Sequence, residues 1–379
     1  MNIFLTSRKA YTRAGESEIG YRMDNHSIAV IGGDGIGPDV LREGRLVLEN
    51  LSEVTGALSW EFHEFPWGCD HYLEHGLMMP EAALDTLKPF DAIYFGACGF
   101  PSVPDHISLH GLLLPIRQTF QQYINLRPVQ LLPGIQSPLV GKSAEDIDFL
   151  CVRENTEGEY GGVGGRLHRG MPHEVAVETV VFTRTAVERV VRYSFELAKR
   201  TGRGHVTNIT KSNAQRHSMV FWDDVFDEVA VEYPETTTDR SLIDAAAARM
   251  VRNPESYDVL VASNLFGDIL TDIGGALMGS LGVPPSANIN PDGGYPPLFE
   301  PVHGSAPDIA GKGIACPIAA IWAAAMMVED LGHPEESKLI MDAMTDVTAS
   351  GTLTPDLGGK ATTVEFGQAV CDALRKRAG

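Results

Sequence analysis

Short apolar, β-branched runs alternate with helix-patterned segments along this chain, and no other feature narrows its fold as much. SIAVIGG (27–33) breaks at a glycine cluster, and a helix follows from about Pro38. LDTLKPF (84–90) reads as a helix and DAIYFGACGF (91–100) as a buried strand. IDFLCVREN (147–155), HVTNITK (205–211) and YDVLVASN (257–264) are further strands. TAVERVVRYSFELAKR (185–200) has apolar residues at helical spacing and ends in basic residues, which suit a helix C-terminus. SLIDAAAARMVRNP (241–254) reads as an alanine-rich helix stopped by Asn-Pro, and NLFGDILTDIGG (264–275) starts another. PIAAIWAAAMMVEDLG (317–332) is apolar all round, so it should be packed on both sides. Strands alternating with helices predict α/β architecture.

A chain of 379 residues is long enough for two domains. Pro and Gly cluster near 128–141 and 279–297, where the chain is expected to change lobe. That predicts a discontinuous domain, residues 26–122 with 280–379, and a second domain of residues 123–279. Residues 1–25 lack the apolar core of a signal peptide and read as a flexible lead-in. The net charge of -20 argues against nucleic acid and anionic membranes as partners. No run of 18 apolar residues offers a membrane span. Five cysteines, an odd number in no metal-binding spacing, suit a reducing cytoplasm.

Two nucleotide-binding motifs fail. After Gly33 and Gly35 the third glycine position of a Rossmann loop falls on Pro38, and Gly141-Lys142-Ser143 has Gln136 where a P-loop needs glycine. Any bound nucleotide must be held differently.

Other residues carry chemistry. Asp268 and Asp272 are four apart, so on a helix they share a face and repel. Asp244 also opens a helix in apolar surroundings. Three such carboxylates suit a hard divalent cation, Mg²⁺ or Mn²⁺, whereas Asp268 alone reads equally as a helix-dipole residue. Arg117, Arg127 and Arg153 could form the local positive pocket that an acidic protein needs for a dicarboxylate. Their bland alternative is pairing with Glu154 and Glu157. Lys211 and Tyr160 could move protons; a lysine beside a metal and arginines is pushed towards a useful base. In FEPVHGSAPDIAGKG (299–313), small residues around His303, Gly304, Ser305 and Ala306 permit close backbone approach, and Asp308 could accept from both ribose hydroxyls.

At these positions the chain resembles the metal-dependent β-decarboxylating dehydrogenases, the family of isopropylmalate, isocitrate, homoisocitrate and tartrate/D-malate dehydrogenases. The resemblance runs from about residue 26 to the C-terminus, through IGGDGIGPDV, NLRP, RENTEGEY, TKSN, NLFGDILTD and EPVHGSAPDIAGKG. It implies an isopropylmalate-dehydrogenase-like two-domain α/β fold with mixed sheets, not a Rossmann fold, and a homodimer with shared active sites. It assigns Arg117, Arg127 and Arg153 to substrate carboxylates and Asp244, Asp268 and Asp272 to Mg²⁺ or Mn²⁺. Lys211 and Asp244 would arrive from the neighbouring subunit, and Lys211 and Tyr160 would handle protons. The loop His303–Ile309, with Asp308 and Ile309, looks like the NAD-preferring version. A monovalent cation such as K⁺ is a further candidate. Hydride would leave C2 of a 2-hydroxy dicarboxylate for NAD, CO₂ would be lost, and Tyr160 would protonate the resulting enolate.

Isocitrate enzymes carry serine and asparagine six and four residues before the first arginine; here Gly111 and Leu113 stand there. Leu113 and Leu114 fit an isopropylmalate pocket. VPDHISLHG (103–111) and RENTEGEY look more like the tartrate/D-malate branch, which is the favoured reading, with a 3-alkylmalate next. His110 replaces that branch's usual tryptophan and reads either as a pocket residue or as a solvent-facing one. Cys316 replaces the asparagine of IANP, which predicts weaker adenine contact. A non-catalytic regulatory subunit would be expected to have lost the lysine, the tyrosine or a metal aspartate, and none is lost.

Overall fold

The computed structural model describes residues 23–379. The expected lead-in therefore lies outside the described residues up to position 22, but its last two members are strand. Asp24 and Asn25 open β1 (Asp24–Gly33) and pair with Leu58 and Ser59. Next come α1 (Gly37–Thr55), β2 (Leu58–Glu64), α2 (Cys69–His75), α3 (Ala83–Leu87), β3 (Ala92–Ala97), α4 (Asp105–Gly111) and α5 (Leu113–Thr119). The middle of the chain supplies β4 (Ile124–Gln130), β5 (Asp148–Glu154), β6 (Gly158–Leu167), β7 (Val175–Val181), α6 (Arg184–Arg200), β8 (His205–Thr210), α7 (Ser218–Ala230) and β9 (Thr237–Leu242). There follow α8 (Ile243–Arg252), β10 (Val259–Ala262), α9 (Asn264–Leu277), β11 (Pro285–Ile289), β12 (Leu298–Pro301), α10 (Ile318–Asp330), α11 (Pro334–Ala349) and α12 (Thr363–Ala378).

Ten strands form one mixed sheet in the order β2-β1-β3-β12-β11-β4-β5-β10-β8-β9. The outer strands pair in parallel, and the direction reverses at the centre, where β11–β12, β11–β4 and β4–β5 are antiparallel. β3 and β10 are buried throughout, as strands covered on both faces require. Strands from 24–97 and 285–301 make one half of the sheet, and strands from 124–262 make the other. Helix α10 is buried from Ile318 to Glu329 and packs on both α1 and the sheet, as its uniformly apolar sequence predicts. The helix expected from residue 241 starts two residues later. Ser241 and Leu242 pair with Ile209 and Thr210 as the end of β9, so sheet hydrogen bonding overrides the alanine-rich pattern.

β6 and β7 pair only with each other. Their ribbon exposes Val163, Leu167, Val175, Val177 and Val181, an apolar surface that the described residues leave uncovered.

The glycine cluster serves close packing. Gly33 and Gly35 have φ of 66° and 58°, in the left-handed region. A Cβ on Gly35 would lie 1.9 Å from the Ser305 carbonyl oxygen, which accepts from the Ile36 N–H at 2.8 Å. Between them Asp34 accepts from the Cys69 and Gly99 N–H groups, both at 2.7 Å. The turn after β1 is thus pinned to the 303–313 loop. Gly35→Ala should cost at least about 1–3 kcal/mol through strain alone, more with the clash. Urea denaturation checks this; an unchanged midpoint would show that the turn relaxes freely.

Candidate active site

Antiparallel pairing sets Asn125 of β4 opposite Arg153 of β5. Arg127, two residues on from Asn125, therefore projects from the same face as Arg153. Arg117 reaches the same place from the last turn of α5. All three are at most 5% exposed.

Helix α9 brings the opposing charge. Ser263 caps it, its side chain accepting from the Phe266 N–H, and Gly267 leaves room for the Arg153 stem, which a Cβ there would approach to 2.7 Å. Asn264 Oδ1 accepts from Arg153 Nε at 3.1 Å and Nη2 at 2.6 Å. Asp268 Oδ1 accepts from Arg153 Nη1 and, at 3.4 Å, from Arg127 Nη1. Tyr160 Oη donates to Asp268 Oδ2 at 3.1 Å, and Arg127 also donates to Thr271 Oγ1 at 2.6 Å. Arg117 donates to Glu300 Oε1 at 2.7 Å. Glu154 and Glu157, the alternative partners, are engaged elsewhere. Glu154 accepts from Thr156 and the Glu157 N–H, and Glu157 accepts from Thr183.

Burial lowers the pKa of Arg127 to about 10, with repulsion from Arg153 adding to the effect, and burial also lowers that of Arg117. Burial acts to raise that of Asp268, but Arg153 and Arg127 outweigh it, and the carboxyl ends below the ordinary aspartate range. Asp272 moves the other way, raised by burial and then by the Asp268 charge. Among the described residues it has no ion pair, and in the single chain it faces solvent. Tyr160 is raised by burial and by Asp268. The two aspartates of α9 therefore differ: guanidinium groups bond to Asp268 and outweigh its burial, whereas Arg127 and Arg153 act on Asp272 without outweighing its burial and the Asp268 charge.

These groups line a cavity of about 160 Å³ that holds Leu113, Arg117, Arg127, Arg153, Tyr160, Asp268, Glu300, His303 and Gly304 in its wall. A larger cavity of about 720 Å³ lies beside Arg42 and Arg45, with Asp34, Glu64, Asp70 and His71 also in its wall. Leu109 and Leu113 face the small cavity. Leu114 is buried outside its wall, and His110 lies on the exposed side of α4. Gly111, beside it, is packed on Met78, whose Cγ a Cβ would meet at 2.6 Å.

The 303–313 loop splits by role. His303 and Gly304 reach the cavity wall, and His303 Nε2 is buried without a hydrogen-bond partner. Ser305 is buried, Ala306 takes φ of 37°, and Asp308 is exposed. Ile309 packs on the core, and burial pushes the Cys316 thiol up to about 12, so it is neutral. All five cysteines are free. Lys211 and Asp244 pair with each other at 2.5 Å on the strand and helix ends of β8 and α8. Among the described residues, no three His, Cys, Asp or Glu side chains converge to hold a metal within one chain. Two site residues escaped sequence reasoning, Glu300 and Asn264. The signal for Glu300 was an acid inside the apolar run LFEP.

The profile of the isocitrate/isopropylmalate dehydrogenase family matches residues 27–370, and the chain belongs to that family. It is an oxidative decarboxylating dehydrogenase. It is 53% identical to a probable tartrate dehydrogenase/decarboxylase of Agrobacterium vitis, over 93% of this chain and 98% of the relative. The D-malate dehydrogenase [decarboxylating] of Escherichia coli is 52% identical, over 93% and 99%. The crystal structure of isocitrate dehydrogenase from Methylococcus capsulatus superposes with a TM-score of 0.82 at 34% identity, covering 92% of this chain and 99% of that one. Among the described residues no helix is long and apolar enough to cross a membrane.

A carboxyl held below its ordinary range stabilises the fold above that range and loses the effect as pH falls through the lowered value. The stability gap between wild type and Asp268→Asn, read by urea denaturation, should be flat between about pH 5 and 7 and should narrow below the ordinary value of 3.8. A gap independent of pH would show that the guanidinium groups do not hold this charge.

Proposed function

We propose that this chain oxidises a 2-hydroxy dicarboxylate of the tartrate/D-malate type with NAD and a divalent cation, hydride leaving C2 and CO₂ then leaving the β-carboxylate. The observation that carries the reading is the convergence of three buried guanidinium groups on a cavity sized for a small molecule. The names of the relatives point to the same substrate class.

The residues fit both added groups. Asp272, in no ion pair among the described residues, offers a carboxylate one turn from Asp268, a hard oxygen set of the kind Mg²⁺ or Mn²⁺ takes. The buried, unpartnered Nε2 of His303 and the open space above Gly304 offer a place for the cofactor, with Asp308 exposed for a ribose. Bound there, NAD would accept the hydride and the ion would act as a Lewis acid on substrate oxygens.

The chain's own residues do the rest. Arg117, Arg127 and Arg153 grip the two carboxylates and fix which carbon faces the cofactor. Tyr160 protonates the carbon that loses CO₂; its raised pKa keeps it a proton donor at neutral pH. Lys211 takes the hydroxyl proton. In this reading Lys211 and Asp244 serve the cavity of a second copy, in a homodimer whose β6–β7 ribbons cover each other's apolar side chains. The two halves of the sheet act as the two domains, 26–122 with 280–379 holding the cofactor and 123–279 holding the metal and the dimer contact. Free cysteines throughout suit a cytoplasmic setting. Leu113 in the cavity wall favours 3-isopropylmalate as the second reading.

NADH formation from D-malate, tartrate, 3-isopropylmalate and isocitrate, with Mn²⁺ and with EDTA, tests the proposal. Turnover of D-malate or tartrate is expected, abolished by EDTA; turnover of none of the four would end it. Tyr160→Phe should lower kcat by about 10²–10⁴-fold with little change in KM. Mixing inactive Lys211→Met with inactive Tyr160→Phe should restore part of the activity if active sites are shared.

A further inference from the structure

One stripe of α9 meets two of the buried arginines. Asn264, Asp268 and Thr271 stand at positions i, i+4 and i+7, so they share a helical face. Asn264 and Thr271 are both buried. The single oxygen Asn264 Oδ1 accepts from Nε and Nη2 of Arg153, at 3.1 and 2.6 Å, which fixes the plane of the guanidinium. Asn264 is itself held from two sides. Ser263 caps its helix, and Asn264 Nδ2 donates to the Glu157 carbonyl at 3.2 Å. Thr271 Oγ1 accepts from Arg127 Nη1 at 2.6 Å and donates to the Gly267 carbonyl at 2.8 Å.

The chemistry of these acceptors matters as much as their place. Among the described residues, the carboxylates bonded to the three guanidinium groups are Glu300 and Asp268, and Asp268 is shared between Arg127 and Arg153. The acceptors on either side of Asp268 are an amide and a hydroxyl. An uncharged acceptor satisfies an N–H without cancelling the charge behind it. A carboxylate at 264 would meet the same two N–H groups and neutralise Arg153.

We propose that Asn264, helped by Thr271, is a positioning residue whose lack of charge is functional: it orients Arg153 and leaves the charge of that guanidinium for a carboxylate of the substrate. The role rests on the dicarboxylate reading above. Asn264 also ties Arg153 to the turn that leads into β6, the strand of Tyr160, so the substrate grip and the proton donor share one anchor.

Calorimetric titration of the whole chain with D-malate, in millimolar Mg²⁺ and without NAD, reads binding with no turnover. Asn264→Ala and Asn264→Asp both lose the bond to Glu157, so they differ only in what faces Arg153. Wild type should bind tightest and Asn264→Ala about tenfold more weakly. Asn264→Asp should be weaker than Asn264→Ala by about tenfold again, because its charge competes with the ligand's. A residue that merely anchors Arg153 gives another order, with Asn264→Asp between wild type and Asn264→Ala. That order, or equal binding in all three, overturns the proposal. If the 264 variants do not fold, Thr271→Val decides the matter: binding about tenfold weaker than wild type is expected, and unchanged binding overturns the role. A wild type that binds none of D-malate, tartrate and 3-isopropylmalate fails the substrate reading, and this role with it.

Discussion

Three guanidinium groups held out of water within one small cavity repel one another, and the rest of the site is arranged around that fact. Each buried charge is tolerable only where oxygens meet it. Arg117 has Glu300, Arg127 has Thr271, and Arg153 has Asn264 and Asp268. Yet among the described residues Arg117 Nε and Arg127 Nε remain buried without a partner. The site thus holds more donors than the described acceptors satisfy. The dicarboxylate of the proposed reaction would bring the acceptors that are missing. Binding energy at such a site comes from completing an existing network, with little side-chain ordering left to do.

The sheet explains why those arginines stay in place. Arg127 and Arg153 stand where strand direction reverses, on β4 and β5 beside β11, and Arg117 joins them from α5. A layer of buried amides ties these strands together. Asn125 donates to Ser286 and Asn288, Asn155 donates to Asn288, and Asn288 donates to Glu300 at 2.7 Å. Glu300 is therefore shared between the strand network and Arg117. Polar networks of this kind hold one arrangement because any other leaves buried groups unpaired.

Strands and helices with a strong pattern were legible in the sequence, among them β5, α6, α10 and the aspartate pair on α9. So was the set of arginines, because a basic residue ending an apolar run has few uses. What was less legible depended on the third dimension. The glycine cluster announced a tight turn, but only the fold shows that its reason is the Ser305 carbonyl. Asp268 and Asp272 look equivalent in sequence, and their different environments arise because only one lies over Arg153. His110 and Leu114 sat in the right motif, but α4 and α5 meet at Leu112, and that break turns one ring to solvent and one leucine into the interior. Glu300 went unnoticed because a single acid in a strand carries no period.

Gly111 has a historical consequence. Its missing side chain is filled by Met78, itself 2% exposed, so any larger residue at 111 must first find room at 78. A drift of this lineage towards a hydroxyl at 111, the residue type expected of isocitrate users, is therefore a two-step path with a preferred order. The methionine shrinks first, at the expense of a small void, and the serine follows. Taken in reverse, the intermediate is overpacked, at a cost of about 1–3 kcal/mol.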